Sequence, residues 1–203
     1  MGKRYDSSRR KKAAEETRQN ILKAALKLHW EGITEFEPLA REAGCSLPTV
    51  RKNYPTKESL FQDCTRTFGE TLQMPDLQAL GGIDNPEARL VGCVSELCRI
   101  HEAMFGYAWL CVQMRKDSPT LDAELQAYEG LADAMAEIVV SRTSPHFPLI
   151  RGLLDFLSYR ALRLSGGLSP EKANAELKNV IRPLMQVADA PSRPVPSRKG
   201  KKS

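Results

Sequence analysis

The sequence predicts an all-α fold in which three short helices precede a larger helical bundle. Apolar residues recur at spacings of three and four along most of the chain, and no stretch alternates with period two for long enough to form a strand. Hydroxyl-bearing residues and prolines precede many of these stretches, and glycines follow several of them, as at helix ends. The 203 residues, 41% of them hydrophobic, are enough to bury a substantial core.

The front of the chain contains four consecutive helix starts. Each start is a Thr or Ser whose side chain can cap free backbone N–H groups: Thr17, Thr34, Ser46 and Thr56. The first three helices end where the backbone must turn or loses a donor, at Gly32, Gly44 and Pro55. We therefore predict three short helices before residue 56 and a fourth helix after it.

The second and third helices, joined by Ala-Gly-Cys-Ser, predict a helix-turn-helix. Ala40 is small enough for the two helices to cross there, and Gly44 can adopt the left-handed conformation of the turn. The third helix would then project its outer face into a major groove of DNA. The outward candidates are Leu47, Pro48, Thr49, Arg51 and Lys52.

A larger helical part is predicted after a loop that begins near residue 73. Its helices are expected over residues 86–105, 107–116, 119–142, 147–165 and 170–188. Pro183 is expected to kink or end the last of them, because it lacks a backbone donor.

Charge is distributed unevenly along the chain. Residues 1–60 carry 13 Lys and Arg against 8 Asp and Glu, whereas residues 61–189 carry 12 against 17. Residues 190–203 hold five basic residues and no acidic one. A basic front and a mildly acidic body indicate that one part of the molecule meets a polyanion and another does not.

The front end resembles the TetR family of bacterial transcriptional regulators. The resemblance covers residues 17–60 and rests on "ILKAALKL", "AGCSLPTV" and "NYPTKESL" at matching intervals. It implies a homodimeric transcription regulator, by family default a repressor, that binds a pseudo-palindromic operator in double-stranded DNA and is released by a small, mostly apolar effector. Together with the polar, basic composition of both ends, the resemblance predicts a flexible basic arm (1–14), a helix-turn-helix DNA-binding domain (15–56), a helical effector-binding and dimerisation domain (57–189) and a disordered basic tail (190–203).

The resemblance also assigns roles to matching residues in the front end. Ser46 and Thr49 would lie at the DNA face, Lys57 would meet a phosphate, Thr34 would cap the second helix, and Tyr54 would plug the core beside that face. Two positions depart from the family pattern: Arg51 replaces a common tyrosine, and Asn53 replaces His or Tyr. The predicted DNA-binding set is Thr34, Ser46, Leu47, Pro48, Thr49, Arg51, Lys52, Tyr54 and Lys57.

The stretch "CRIHEAMFGYAWLCVQM" has three interpretations. It is bundle core with a satisfied histidine, or the wall of an effector pocket with His101 or Glu102 as polar anchor, or, with the weakest support, a metal site from Cys98, His101 and Glu102. The candidate pocket residues are Phe68, Leu72, His101, Phe105, Trp109 and Tyr128. Two broad apolar helix faces nearer the C-terminus predict a dimer interface: Leu153, Leu157, Leu164, Leu177, Ile181 and Leu184.

Other classes of protein find little support in the sequence. It lacks G-x-S-x-G, H-E-x-x-H and glycine-rich phosphate loops, so we expect neither an enzyme nor a bound cofactor or metal. Five cysteines without a C-x-x-C pair, no secretory signal and no long apolar run predict a bacterial cytoplasmic protein outside the membrane. The alternative function is an antirepressor-like interaction module that has lost DNA binding.

Overall fold

The computed structural model describes residues 7–188, which form eleven α-helices and no strand. The predicted all-α class is therefore confirmed. The helices are α1 (Ser7–Trp30), α2 (Phe36–Glu42), α3 (Leu47–Asn53), α4 (Lys57–Thr71), α5 (Leu77–Gly81), α6 (Pro86–Ala103), α7 (Phe105–Met114), α8 (Pro119–Val139), α9 (Phe147–Leu153), α10 (Phe156–Leu164) and α11 (Pro170–Ala188).

The first helix begins ten residues before the predicted start. Residues 7–14, expected to form part of a flexible arm, belong to α1. Thr17 does not cap this helix, because its hydroxyl donates to the Ala13 carbonyl one turn earlier at 2.8 Å. The Gln19 side-chain amide also donates to the Glu15 carboxylate, one turn earlier on α1, at 2.8 Å. Residues 1–6 and the predicted basic tail over 190–203 lie outside the described residues.

The front helices bury a small apolar core of their own, which we call the head cluster. It consists of Ile21, Leu22, Ala24, Ala25, Leu28, Phe36, Leu39, Ala40, Val50, Tyr54, Leu60 and Cys64. Its last two members come from α4, so the head (α1 to α3 and α4 as far as Cys64) extends beyond the boundary predicted at residue 56.

The remaining helices enclose a larger core, which we call the body cluster. Helix α8 packs against α4, α6 and α7, and α11 packs along α6. Phe61 belongs to this cluster, although its neighbour Leu60 belongs to the head cluster. Adjacent faces of α4 therefore serve two cores.

Head and body also meet where α1 ends and α7 begins. Gly106 lies against the backbone and ring of Trp30, and a Cβ added to this glycine would come within 2.3 Å of the Trp30 carbonyl oxygen. The absence of a side chain at Gly106 is what allows α7 to approach the end of α1 so closely.

The helix predicted over residues 147–165 is divided into two. Helix α9 ends at Leu153, and the Asp155 carboxylate starts α10 by accepting a bond from the Leu157 N–H at 2.9 Å. Leu154 is buried at the break, and its carbonyl faces His101 at 3.1 Å. The predicted loop after residue 73 contains the short helix α5, and α11 continues through Pro183 rather than ending there.

Candidate nucleic-acid interface and cavity

Helix α3 is held at its N-terminal end by the residues that the sequence predicted. Ser46 occupies the N-cap and accepts from the Thr49 N–H at 3.3 Å, and the two hydroxyls lie 2.8 Å apart. Gly44, with φ of +64°, forms the turn before it. Val50 is fully buried, so the opposite face of α3 must point outward.

The outward face of α3 is polar and positively charged. Pro48, Arg51 and Lys52 are exposed and share one side of the helix at spacings of three and four, whereas Leu47 and Thr49 are half-buried. Arg51 and Lys52 together give this face two positive charges. We call Pro48, Arg51 and Lys52 the α3 outer face.

Tyr54 does not lie on that face, which corrects its place in the predicted DNA-binding set. It is 1% exposed, and its hydroxyl donates to Asp63 at 3.0 Å. Asp63 also accepts from Arg18 of α1 and, at 2.6 Å, from Arg66. Burial raises the pKa of Asp63, but the bonds from Tyr54 and Arg18 and the charges of Arg18 and Arg66 outweigh it and hold that pKa below its usual value.

Thr34 and Lys57 form a contact of their own beside α2. Thr34 is buried and does not cap α2, because Glu35 occupies the N-cap position without a side-chain capping bond. The Thr34 hydroxyl accepts from the Lys57 ammonium at 3.0 Å, and Glu35 lies 3.5 Å from the same ammonium. A phosphate at Lys57 would therefore have to compete with Glu35, and the phosphate role of Lys57 stays a prediction.

Glu58, which the sequence did not single out, joins α4 to the start of α8. Its carboxylate accepts from the Ser118 hydroxyl at 2.6 Å and from the Thr120 N–H and hydroxyl at 2.9 and 2.5 Å. Ser118 is itself the N-cap of α8, so the carboxylate also lies at the positive end of that helix. A Ser-Pro-Thr helix start marks α8 locally, but nothing local indicates an acidic partner 60 residues earlier.

A cavity of about 110 Å³ opens between α6, α7, α8 and α10. Its walls are mainly aromatic and aliphatic, and they include His101, Leu125, Tyr128, Ala132, Phe156 and Leu157. Arg115, Glu129 and Asp155 also line it. Of the six predicted pocket residues, the structure therefore brings His101 and Tyr128 to this cavity.

The other four predicted pocket residues lie elsewhere. Phe68 stacks on Tyr107 with ring centroids 5.2 Å apart, and Leu72 ends α4 against the body cluster. Trp109 lies under the guanidinium of Arg160 at 4.0 Å, and Phe105 packs edge-on against Phe156 from outside the cavity lining. Phe105 and Trp109 lie close to His101 in the sequence, but their side chains contact α10 and do not line the cavity.

Both ring nitrogens of His101 have partners. Nε2 lies 3.1 Å from the Leu154 carbonyl, which can only accept, so Nε2 carries the proton. Burial lowers the pKa of His101 to about 4, so Nδ1 is an unprotonated acceptor near neutral pH. The Tyr128 hydroxyl therefore donates to Nδ1. The satisfied-histidine interpretation thus describes His101, and its role as the polar anchor of an effector pocket stays a prediction.

Solved structures of other proteins superpose on this arrangement of head and body. A transcriptional regulator from Rhodococcus sp. Rha1 matches with a TM-score of 0.56 and 20% identity over 88% of this chain and 98% of its own. A HlyIIR mutant protein carrying a GSSGSSG linker matches with a TM-score of 0.57 and 17% identity over 89% and 100%. The chain shares their fold.

The helical fold that the TetR resemblance implies is thereby confirmed, and membership of that family stays a prediction. A TetR transcriptional regulator from Rhodococcus sp. RHA1 also aligns over 89% of this chain and 99% of its own, at 14% identity, but its TM-score of 0.44 is too low to support the assignment. No family model matches the chain. No curated protein sequence matches it either.

The predicted dimer residues divide into three groups by their exposure. Leu157 and Leu164 are about half exposed, and Leu153 and Leu184 are partly buried. Leu177 and Ile181 are buried in the body cluster of the single chain, so they offer no surface to a second subunit. Leu149 on α9 and Val180 on α11 are further exposed apolar residues of the same two helical stretches.

The described residues contain no group of three or more His, Cys, Asp or Glu side chains placed to hold a metal ion. Cys98 and His101 are buried, and Glu102 instead accepts from Tyr159 at 2.8 Å and pairs with Arg163. Between residues 7 and 188, no helix is both long enough and apolar enough to cross a membrane.

Proposed function

We propose that this chain is a sequence-specific DNA-binding transcriptional regulator that acts as a homodimer in the bacterial cytoplasm. The observation that carries the proposal is the α3 outer face: an exposed, doubly cationic helix side on a helix-turn-helix whose inner side is fixed in the head cluster. Such a helix fits a major groove, with one copy per subunit on a pseudo-palindromic site. All five cysteines are free thiols, which suits a reducing compartment.

The proposed mode of control is repression relieved by a small effector in the cavity. Helix α8 supplies Leu125, Tyr128 and Ala132 to the cavity wall, and its N-terminus holds Glu58 next to Lys57 on α4. A ligand that shifts α8 would therefore move the start of α4 and the head with it. The shift requires that the ligand bind the DNA-incompetent arrangement more tightly, since equal affinity for both arrangements changes nothing.

Selection of bound sequences from random duplex DNA, followed by binding measurements, tests the proposal. We expect a two-fold related site, and we expect Arg51→Ala or Lys52→Ala to weaken binding to it by about 1–3 kcal/mol. The control is the double variant Lys116→Ala/Lys172→Ala, which removes two exposed positive charges from the body and should change affinity little.

Two results would contradict the proposal. If Arg51→Ala/Lys52→Ala binds the selected site like the parent chain, α3 is not the recognition helix. If no duplex is enriched at low salt, where phosphate contacts are strongest, the antirepressor-like alternative gains support instead.

A further inference from the structure

The cavity matches one small aromatic ring in size and lining. Its volume of about 110 Å³ is close to that of an apolar cavity, on the order of 150 Å³, known to admit benzene. Three rings surround it: Tyr128 and Phe156 have centroids 6.0 Å apart, and His101 lies 5.5 Å from Tyr128 and 5.9 Å from Phe156. Rings at these separations form an aromatic wall against which a further ring can pack.

His101 and Tyr128 offer the cavity acceptors rather than donors. Both His101 nitrogens are engaged, one by the Leu154 carbonyl and one by the Tyr128 hydroxyl. Because the Tyr128 hydroxyl donates its hydrogen to His101, its oxygen can only accept a hydrogen bond from a ligand. A ligand that must receive a hydrogen bond finds no partner among these groups.

Carboxylates outnumber cations around the cavity. Arg115 lines it but is shared by Glu129, at 3.0 Å, and Asp122, at 2.9 Å. Asp155 lines it as well and pairs at 2.9 Å with Arg151, whose guanidinium also bonds Asp133. Two guanidiniums thus pair with four carboxylates, and of these six groups Arg115, Glu129 and Asp155 line the cavity. Arg160, the cation of α10 nearest in sequence, lies over the Trp109 ring and is not part of the lining.

We propose that this cavity binds a small monocyclic aromatic ammonium compound, an arylalkylamine, which would be the effector of the function proposed above. The ring packs among Tyr128, Phe156 and Leu125. The ammonium lies toward Glu129 and Asp155, where it donates to carboxylate and tyrosine oxygens and is attracted by the faces of the neighbouring rings. An aromatic carboxylate of the same size meets the carboxylates of Glu129 and Asp155 in the lining, and His101 and Tyr128 offer it no donor.

Three probes of equal ring size test the proposal on the full chain: benzylamine, benzyl alcohol and benzoate. We expect calorimetry near pH 7, without DNA, to show benzylamine binding about tenfold or more tighter than benzyl alcohol, and benzoate weakest. Glu129→Gln should remove most of the preference for benzylamine and leave benzyl alcohol unchanged, whereas Glu137→Gln, an exposed carboxylate on the same helix, should alter neither.

A variant that fills the cavity separates binding there from binding elsewhere. Ala132→Leu should abolish binding of both benzylamine and benzyl alcohol, and thermal unfolding of each variant shows whether it is folded. Benzoate binding as tightly as benzylamine, no binding by any probe at millimolar concentration, or unchanged binding to Ala132→Leu would each overturn the proposal. Because Arg51 and Lys52 lie in the head, the Arg51→Ala/Lys52→Ala variant should bind benzylamine normally, so loss of DNA recognition and loss of ligand binding are measured apart.

Discussion

Asp63 is a buried carboxylate that gathers three donors from three elements. Tyr54 follows α3, Arg18 lies on α1 and Arg66 on α4, so this one side chain fixes the relative positions of the three helices behind the α3 outer face. Sequence reasoning found Tyr54 as a core residue but not Asp63, because Arg18 is 45 positions away and no local spacing indicates the pair. Glu58 was not predicted for the same reason, since its partners Ser118 and Thr120 are 60 and 62 positions away.

Two buried histidines make stability depend on pH. Burial lowers the pKa of His29 to about 4, with the charge of Lys57 adding to the effect, and burial lowers the pKa of His101 to about 4 as well. The ordinary value of 6.5 applies in the unfolded chain. Below that pH the unfolded chain binds protons that the folded chain excludes. The contribution of the two histidines to stability is therefore fully present above about pH 6.5 and is lost as the pH falls toward 4.

The expected loss is about 1.4 kcal/mol per pH unit for each histidine within that window. Denaturant unfolding between pH 7.5 and 5.5 measures it, above the range where Asp63 and Glu58 protonate, since both have a pKa below the ordinary carboxylate value. His29→Phe and His101→Phe should each flatten the slope, whatever they do to absolute stability. An unchanged slope in both variants would refute the assignment.

At the scale of elements, helix starts were predictable where the capping group is local. Ser46, Thr56 and Ser118 all cap as expected, because the acceptor and its N–H lie within three residues. The break between α9 and α10 was missed, since the apolar pattern continues across it. Asp155 marks a possible start, but the Leu154 carbonyl is held by His101, 53 residues away.

Two helical glycines should respond oppositely to alanine. Gly106→Ala would place a Cβ 2.3 Å from the Trp30 carbonyl oxygen, which is backbone and cannot swing aside, so we expect a loss of about 1–3 kcal/mol. Gly130→Ala, in the middle of α8 with no heavy atom within 4 Å, should gain about 0.5–1 kcal/mol. Thermal unfolding measures both. Equal shifts in the two variants would show that α1 and α7 do not meet at Gly106.

For the whole molecule, the proposed dimer should depend on the exposed leucines of α9 and α10. Leu164 is 56% exposed, so Leu164→Arg should leave the single chain folded while placing a charge in an apolar interface, at about 3 kcal/mol or more. We expect sedimentation to show a monomer with weakened operator binding. Met74→Arg, at an apolar residue 61% exposed between α4 and α5, is the matched control and should remain dimeric. A dimeric Leu164→Arg protein would place the interface elsewhere.

The division of α4 between two cores determines how this chain can be cut or recombined. A fragment ending at residue 56 would lack Leu60 and Cys64, so its head cluster would be incomplete. A fragment extended through α4 would instead expose Phe61 to solvent. The head is therefore not a transplantable module. In a chimera that joins this head to a foreign body, the foreign body must pack against the face of α4 that Phe61 occupies. A substitution at Phe61 made to fit that body also changes the helix that completes the head.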